Sequence, residues 1–193
     1  MLASPSNPTG TSIAPAELQV IAQAVRARGG VTLVDEIYLG LSFDERYGHS
    51  ALMHGDDVIA INSFSKYFSM TGWRLGYVQA APEVIAQARK VHDFLTVGAA
   101  APLQEAAVAG LELPDSYYTG LRDLYTAKRD LFLGILRKTG LPFTEPQGAY
   151  YVMADYRRVF GDLEPHPAVL QMIERIGINA VPGHLFYARP DGV

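Results

Sequence analysis

Short apolar runs alternate with amphipathic stretches along the first half of the chain. Residues 15–28 carry apolar side chains at the three-to-four-residue spacing of one helical face, and Gly29 follows as a stop signal. Residues 31–34 and 58–61 are wholly apolar or β-branched, which is typical of strands buried in a parallel sheet. Residues 75–80 predict a third strand. Strands interleaved with helices predict an α/β fold with a mostly parallel sheet.

The second half of the chain is dominated by helical patterns. Residues 82–96 and 102–111 predict two helices. Residues 115–138 predict a longer helix, which contains no proline and is followed by Gly140. At a rise of about 1.5 Å per residue this helix would be roughly 35 Å long, enough to connect two domains.

Mixed α and β structure is predicted after the long helix. Residues 150–153 and 178–181 predict short strands, and residues 167–176 predict a helix between them. We therefore expect three consecutive parts, namely a portion of a large domain, a linking helix and a smaller α+β domain, at residues 1–114, 115–140 and 141–193.

Composition narrows the possible classes of function. The net charge is −4 and no basic run is present, which argues against a nucleic-acid partner. The absence of cysteine excludes disulfides, zinc–thiolate sites and cysteine nucleophiles, and it is compatible with a cytoplasmic protein. The five histidines do not show metal-ligand spacing, so we predict no metal site. Neither a membrane span nor a signal peptide is predicted.

The segment richest in chemistry is residues 63–76, which directly follows the second predicted strand. Open α/β sheets bind ligands at the carboxyl ends of their parallel strands, so Lys66 is expected at a ligand site. A lysine amine can form a Schiff base with an aldehyde cofactor. Ser63, Ser65 and Arg74 could hold a phosphate through hydroxyl donors and a planar guanidinium. Taken alone, these residues fit a solvated turn equally well.

Two further segments carry polar side chains at the ends of predicted elements. Asp35 and Tyr38 follow the first predicted strand, where a helix cap with an aromatic neighbour is the simpler interpretation. Asn7 lies in a Ser-Asn-Pro-Thr-Gly run, which is a turn by default, and the peptide bond before Pro8 could be cis.

In order and spacing, these segments resemble the motifs of class I, fold type I aminotransferases of the aspartate and kynurenine aminotransferase kind, which use pyridoxal 5′-phosphate (PLP). The resemblance implies that Lys66 forms the Schiff base and shuttles the proton. Asp35 would keep the PLP ring nitrogen protonated. Asn7 and Tyr38 would bond the phenolic oxygen of the cofactor.

The same resemblance assigns the remaining candidate residues. It implies that Ser63, Ser65 and Arg74 contact or lie beside the PLP phosphate. Residues 146–151 resemble a segment that faces the substrate, with Gly148 leaving room for it and Tyr150 near it. A β-turn that enters a strand explains this last segment equally well.

The implied reaction moves an amino group from an amino acid to a 2-oxo acid, in a cytoplasmic homodimer. The absence of a basic residue at 96–103 favours a neutral, aromatic or sulfur-containing amino acid. Three alternatives stay open: a PLP-dependent carbon–sulfur lyase, the PLP-binding sensor domain of a transcription regulator, and a catalytically silent remnant.

The resemblance covers only the C-terminal portion of the family's length. We therefore expect an incomplete substrate site, exposed apolar faces and poor stability of this chain alone. Relatives bind the substrate carboxylate through an arginine near the chain terminus. Arg189 lies in that vicinity, but its sequence neighbours do not match the family.

Overall fold

A four-stranded sheet forms the centre of the computed structural model, which describes residues 1–188. The strands are β1 (Leu2–Ala3), β2 (Thr32–Asp35), β3 (Val58–Ser63) and β4 (Gly76–Gln79), and they lie in the order β1–β2–β3–β4. The first three strands are parallel, and β4 runs antiparallel to β3. The prediction of an α/β fold with a mostly parallel sheet is therefore confirmed.

Strands β2 and β3 are paired in register from Thr32 with Val58 to Asp35 with Ile61. Alternate residues of both strands are buried, as expected where successive side chains point to opposite faces of a sheet. Because the two strands are parallel, their carboxyl ends meet at one edge of the sheet. The residues that follow Asp35 and Ser63 are brought together there.

Helix α1 (Pro15–Arg26) covers one face of the sheet. It begins with a proline in its first turn, and Gly29 beyond its end has a φ of +70°, a conformation that glycine adopts without strain. Its apolar face packs with both central strands into one cluster, formed by Leu18, Ala22, Val34, Ala51 and Val58.

Six further helices follow in the described residues: α2 (Phe64–Tyr67), α3 (Pro82–Thr96), α4 (Ala101–Leu111), α5 (Asp115–Thr139), α6 (Arg157–Phe160) and α7 (Pro165–Ile176). The four helices predicted at residues 82–96, 102–111, 115–138 and 167–176 are thus confirmed to within two residues. Leu121 and Tyr125 of α5 pack on Tyr38 and Leu41, which ties the long helix to the loop after β2. The division into three parts stays a prediction.

The two strands predicted after α5 are wrong. Ala149 has a positive φ of 61°, so the chain turns before Tyr150, and the pairing nearby consists of two isolated bridges, Ser42 with Gly148 and Phe143 with Ala154. Residues 178–181 do not extend into a strand because Gly177 ends α7 in the left-handed conformation. Ile178 N–H then bonds back to Met172 at 3.4 Å.

Apolar side chains are exposed on the outer helices. Phe94 and Val97, at the end of α3, are 94% and 87% exposed, and Leu131 of α5 is 69% exposed. The expectation of exposed apolar faces is confirmed, whereas poor stability stays a prediction. Among residues 1–188, no helix has the combined length and apolar character needed to cross a bilayer.

Candidate active site

The end of β2 positions the first two candidate side chains. Asp35 is the last residue of the strand, and its Oδ1 accepts the Ile37 N–H at 3.1 Å, which turns the chain. Tyr38 follows and is only 3% exposed, packed with Leu41 and Tyr67. The turn therefore leaves the Asp35 carboxylate at the sheet edge and directs Tyr38 into the core beside it.

The end of β3 positions Lys66. Ser63 caps the short helix α2, since its Oγ accepts the Ser65 N–H at 3.0 Å. The same hydroxyl donates to the carbonyl oxygen of Leu75 at 3.0 Å, which fixes the start of α2 against the chain returning towards β4. Lys66 is half-buried on this helix, one turn after the carboxyl end of a parallel strand.

The two strand ends bring Lys66 and Tyr38 together. The Lys66 Nζ lies 5.7 Å from the ring centroid of Tyr38 and 5.6 Å from that of Tyr150. A cation within about 6 Å of an aromatic face is attracted by the ring quadrupole. The lysine is thus held between two tyrosines that are distant from it in the sequence.

Tyr150 and Tyr151 reach this point from the segment after α5. The Tyr38 and Tyr151 hydroxyls lie 2.5 Å apart, and the Tyr150 ring meets the Tyr38 ring edge-on at 5.4 Å. Burial, followed by hydrogen bonding to Tyr151, raises the pKa of Tyr38 well above its ordinary value. Burial also acts to raise the pKa of Tyr150, but its interactions with Lys66, Tyr38 and Tyr151 outweigh burial and lower that pKa.

Ser65 and Arg74 lie along the same edge of the sheet. Ser65 is buried, and its Oγ lies within hydrogen-bond distance of Ser63 Oγ, at 2.7 Å. Arg74 has a φ of +56°, and its exposed guanidinium donates through Nη1 to the Thr71 carbonyl at 3.1 Å. Arg74 directly precedes Leu75, whose carbonyl accepts from Ser63, so the backbone of Arg74 lies next to the two serines.

Asn7 is exposed on the turn that follows β1, where the bond to Pro8 is cis. The Gly10 carbonyl at the end of this turn accepts the N–H groups of Gln147 and Gly148 at 2.8 and 3.0 Å. The turn that carries Asn7 is therefore tied directly to the segment that carries the tyrosine pair.

Gly148, which was expected to leave room for a substrate, is packed against the start of the chain. It is buried, and a β-carbon added to it would lie 2.4 Å from Pro5 Cγ and 3.2 Å from the Leu41 carbonyl oxygen. The space beside its α-carbon is thus filled by the protein itself. The small size of this residue permits close packing of residues 146–149 on the start of the chain.

A cleft of about 240 Å³ opens beside the tyrosine pair. Half of the residues that line it are aromatic, among them Phe43, Tyr125 and Phe132, and Lys128 and Arg129 of α5 also line it. The Arg129 guanidinium stacks on Phe43 at 4.4 Å. Tyr150 and Tyr151 line this cleft, and Tyr150 also lies beside Lys66 while Tyr151 contacts Tyr38.

Comparison with known proteins assigns the family. The family model described as aminotransferase class I and II matches residues 1–192. The chain belongs to this family. It is 33% identical over 195 residues to the putative aminotransferase YugH of Bacillus subtilis, covering 100% of this chain and 50% of that protein.

Solved structures of the aminotransferase family match the whole fold of the chain. The methionine aminotransferase YbdL from Escherichia coli superposes with a TM-score of 0.91 at 30% identity, over 98% of this chain and 50% of that one. N-Succinyldiaminopimelate aminotransferase from Mycobacterium tuberculosis superposes with a TM-score of 0.88 at 29% identity, over 97% and 50%. The chain spans about half the length of the relatives it matches.

The donors gathered at the sheet edge fit the cofactor of the aminotransferase family, PLP. An amine (Lys66) suits its aldehyde, a carboxylate (Asp35) its ring nitrogen and a phenol (Tyr38) its phenolic oxygen. The Ser63 and Ser65 hydroxyls and the exposed Arg74 guanidinium suit a phosphate. Within residues 1–188, no group of three or more histidine or acidic side chains could hold a metal ion.

Sequence reasoning missed Tyr151. The strand predicted at 150–153 would direct Tyr150 and Tyr151 to opposite faces, yet their ring centroids are 4.8 Å apart. The positive φ at Ala149 causes this arrangement, and no pattern of apolar and polar residues signals it. Arg189 lies outside the described residues.

Proposed function

We propose that this chain is part of a PLP-dependent aminotransferase that moves an amino group from an amino acid to a 2-oxo acid. The observation that carries the proposal is the approach of Lys66 Nζ to Tyr38 at the carboxyl ends of the neighbouring strands β2 and β3. Ligands of open α/β sheets bind at such ends. A lysine, a phenol and a carboxylate there match the needs of PLP chemistry.

Lys66 is the residue that acts on the reacting atoms. Its Nζ would hold the cofactor by bonding to its aldehyde, and the same amine would take up and return a proton at the substrate α-carbon. When bound, PLP supplies an electron sink that stabilises negative charge at the α-carbon. The half-buried position of Lys66 on α2, between two tyrosine rings, restricts the directions that its amine can take.

The other candidate residues hold and tune the cofactor. Asp35 keeps the ring nitrogen protonated through the negative charge of its carboxylate. One carboxylate oxygen accepts the Ile37 N–H, and the other is available to the cofactor. Asn7 and Tyr38 bond the phenolic oxygen. Ser63, Ser65 and Arg74 bind the phosphate, and Gly148 and Tyr150 support the substrate side of the site.

Amino-group transfer is favoured over the alternatives by the relatives described above, which are named as aminotransferases. A carbon–sulfur lyase would use the same lysine but release a cleaved product. A sensor domain would bind PLP without turnover. We further propose that the whole protein is a cytoplasmic homodimer, as implied by the family.

The test is an absorbance spectrum of the protein mixed with PLP, with borohydride reduction and mass mapping of the labelled peptide. Wild type should show a Schiff-base band, and reduction should place the label on Lys66. Lys66→Ala should lose the band. Lys90→Ala is the matched control, since Lys90 lies exposed on α3 and bonds only its helix neighbour Gln87 at 3.1 Å.

A wild-type spectrum equal to the sum of protein and free PLP would refute cofactor binding by this chain. If the band forms, an amino acid and a 2-oxo acid are added together. Exchange of the amino group supports the transferase, and release of ammonia with a cleaved side chain identifies a lyase. A band that persists without any product identifies a binding domain.

A further inference from the structure

The shortest side-chain contact at the site joins two tyrosines that are 113 positions apart. The Tyr38 and Tyr151 hydroxyl oxygens lie 2.5 Å from one another, and the two rings meet edge-on with centroids 5.5 Å apart. Either hydroxyl could be the donor. The roles proposed above concern Tyr38 and leave Tyr151 without a function.

The direction of the Tyr38–Tyr151 hydrogen bond is fixed by the number of available protons if Tyr38 donates to the cofactor. A phenol hydroxyl carries one proton and accepts through its lone pairs. If Tyr38 donates its proton to the phenolic oxygen of PLP, it can only accept from Tyr151. Hydrogen bonds in such a chain polarise and strengthen one another.

We propose that Tyr151 is a positioning residue for Tyr38, which it orients and supplies with a hydrogen bond so that the Tyr38 proton is aimed at the cofactor. The cofactor-directed part of this inference rests on the proposed function. The hydroxyl pair itself belongs to the protein without cofactor.

The backbone around Tyr151 supports such a role because it is held in place. The Gly10 carbonyl accepts two N–H groups from residues 147 and 148, and Ala149 is completely buried. A β-carbon added at Gly10 would lie 3.0 Å from the Tyr151 carbonyl, so the two backbones are in close contact. Tyr151 is therefore presented to Tyr38 from a fixed segment.

The charged and titratable groups that face Tyr38 are few. Lys66 lies on one side, and the phenols of Tyr150 and Tyr151 lie on the other. Burial is the largest cause that raises the pKa of Tyr38, so Tyr38 keeps the proton that it would donate. Removal of the Tyr151 hydroxyl should free the Tyr38 side chain to reorient.

The first experiment is a double-mutant cycle on PLP affinity with Tyr151→Phe, Tyr38→Phe and the double variant. Tyr151→Phe should weaken PLP binding by about five- to tenfold, the value of one good hydrogen bond. In the Tyr38→Phe background the same change should have less than about a twofold effect, because the bond it removes is already absent. Equal effects in the two backgrounds would overturn the proposal, including the case in which the change merely loosens the fold.

The second experiment needs no cofactor. In protein labelled with carbon-13 at tyrosine Cζ, the Tyr38 resonance is assigned with Tyr38→Phe and followed against pH. Tyr151→Phe should shift this resonance near neutral pH, where Tyr38 is protonated, because the hydrogen bond between the two hydroxyls is lost. Tyr156→Phe is the control, since it also removes a hydroxyl bonded at 2.8 Å, but to Leu163 in another part of the chain.

The two experiments fail in distinguishable ways. Absence of the Schiff-base band in wild type would refute the proposed function, but the Tyr38 resonance could still be measured. An unchanged Tyr38 resonance in Tyr151→Phe would refute the positioning role, independently of whether the protein binds PLP.

Discussion

Replacement of Gly148 by alanine tests how the tyrosine segment is held against the start of the chain. The new β-carbon would lie 2.4 Å from Pro5 Cγ, 2.8 Å from Pro5 Cβ and 3.2 Å from the Leu41 carbonyl oxygen. The φ of Gly148 is outside the left-handed range, so alanine can adopt this backbone conformation. The expected cost therefore comes from the contacts alone.

The magnitude follows from the room that Pro5 has to move. Non-bonded carbon atoms are comfortable at about 3.5–4.0 Å, so the ring must retreat by roughly 1 Å. Pro5 is fully buried and has no flexible end to swing away. Overpacking of this kind costs typically about 1–3 kcal/mol, and we expect Gly148→Ala to lie in the upper half of that range.

The assay is urea unfolding of the protein, with the midpoint and the slope fitted separately. A lower midpoint with an unchanged slope reports a loss of stability in the native state. Gly120→Ala is the matched control, because Gly120 is exposed inside α5 and a β-carbon there meets nothing within 4 Å. It should stabilise the protein by about 0.5–1 kcal/mol through helix propensity.

Opposite signs for the two alanine substitutions are the decisive result. If Gly148→Ala is neutral or stabilising, the close packing of residues 146–149 on Pro5 is refuted. If both substitutions destabilise the protein equally, the effect is not specific to the contact with Pro5.

Two further predictions concern buried polar groups behind the site. Burial raises the pKa of Glu36, which accepts from Ser50 Oγ at 2.8 Å and from Ala51 N–H at 2.5 Å. Above the ordinary glutamate pKa, the native state therefore keeps a proton that the unfolded chain has lost. The free energy of unfolding should fall as the pH rises from that ordinary pKa through the raised value. Glu36→Gln should weaken this pH dependence in thermal melts between about pH 4 and pH 8. Tyr67→Phe removes the oxygen that accepts the Gly40 N–H at 2.6 Å. It should lower the free energy of unfolding, measured in urea, by about 1 kcal/mol, because water can reach the exposed Gly40 and replace the bond. A decrease of more than about 3 kcal/mol would contradict this reasoning.

The positions of helices and of the central strands could be predicted because their signals are local. The apolar stripe of α1, the proline-free run of α5 and the β-branched runs of β2 and β3 depend on neighbours along the chain. The placement of Lys66 at the carboxyl edge of the parallel strands could be predicted for the same reason, because it comes directly after β3.

Predictions failed where a distant segment or an unusual backbone conformation decided the outcome. The strand predicted at residues 150–153 does not form because Ala149 adopts the left-handed backbone conformation, which alanine rarely adopts. The role of Gly148 beside a substrate stays a prediction, but sequence reasoning did not foresee its close packing on Pro5, which is more than 140 positions earlier.

The sequence alone therefore determined the family resemblance, the α/β architecture and the position of Lys66 directly after a parallel strand, because each depends on a short stretch of residues. Only the tertiary structure decided which side chains surround that lysine. Tyr150 and Tyr151 meet Tyr38 and Lys66 because residues 146–149 are bonded to the turn at Gly10 and packed on Pro5. Such contacts depend on the shapes of segments that are far apart in the chain, so the spacing of apolar and polar residues does not predict them.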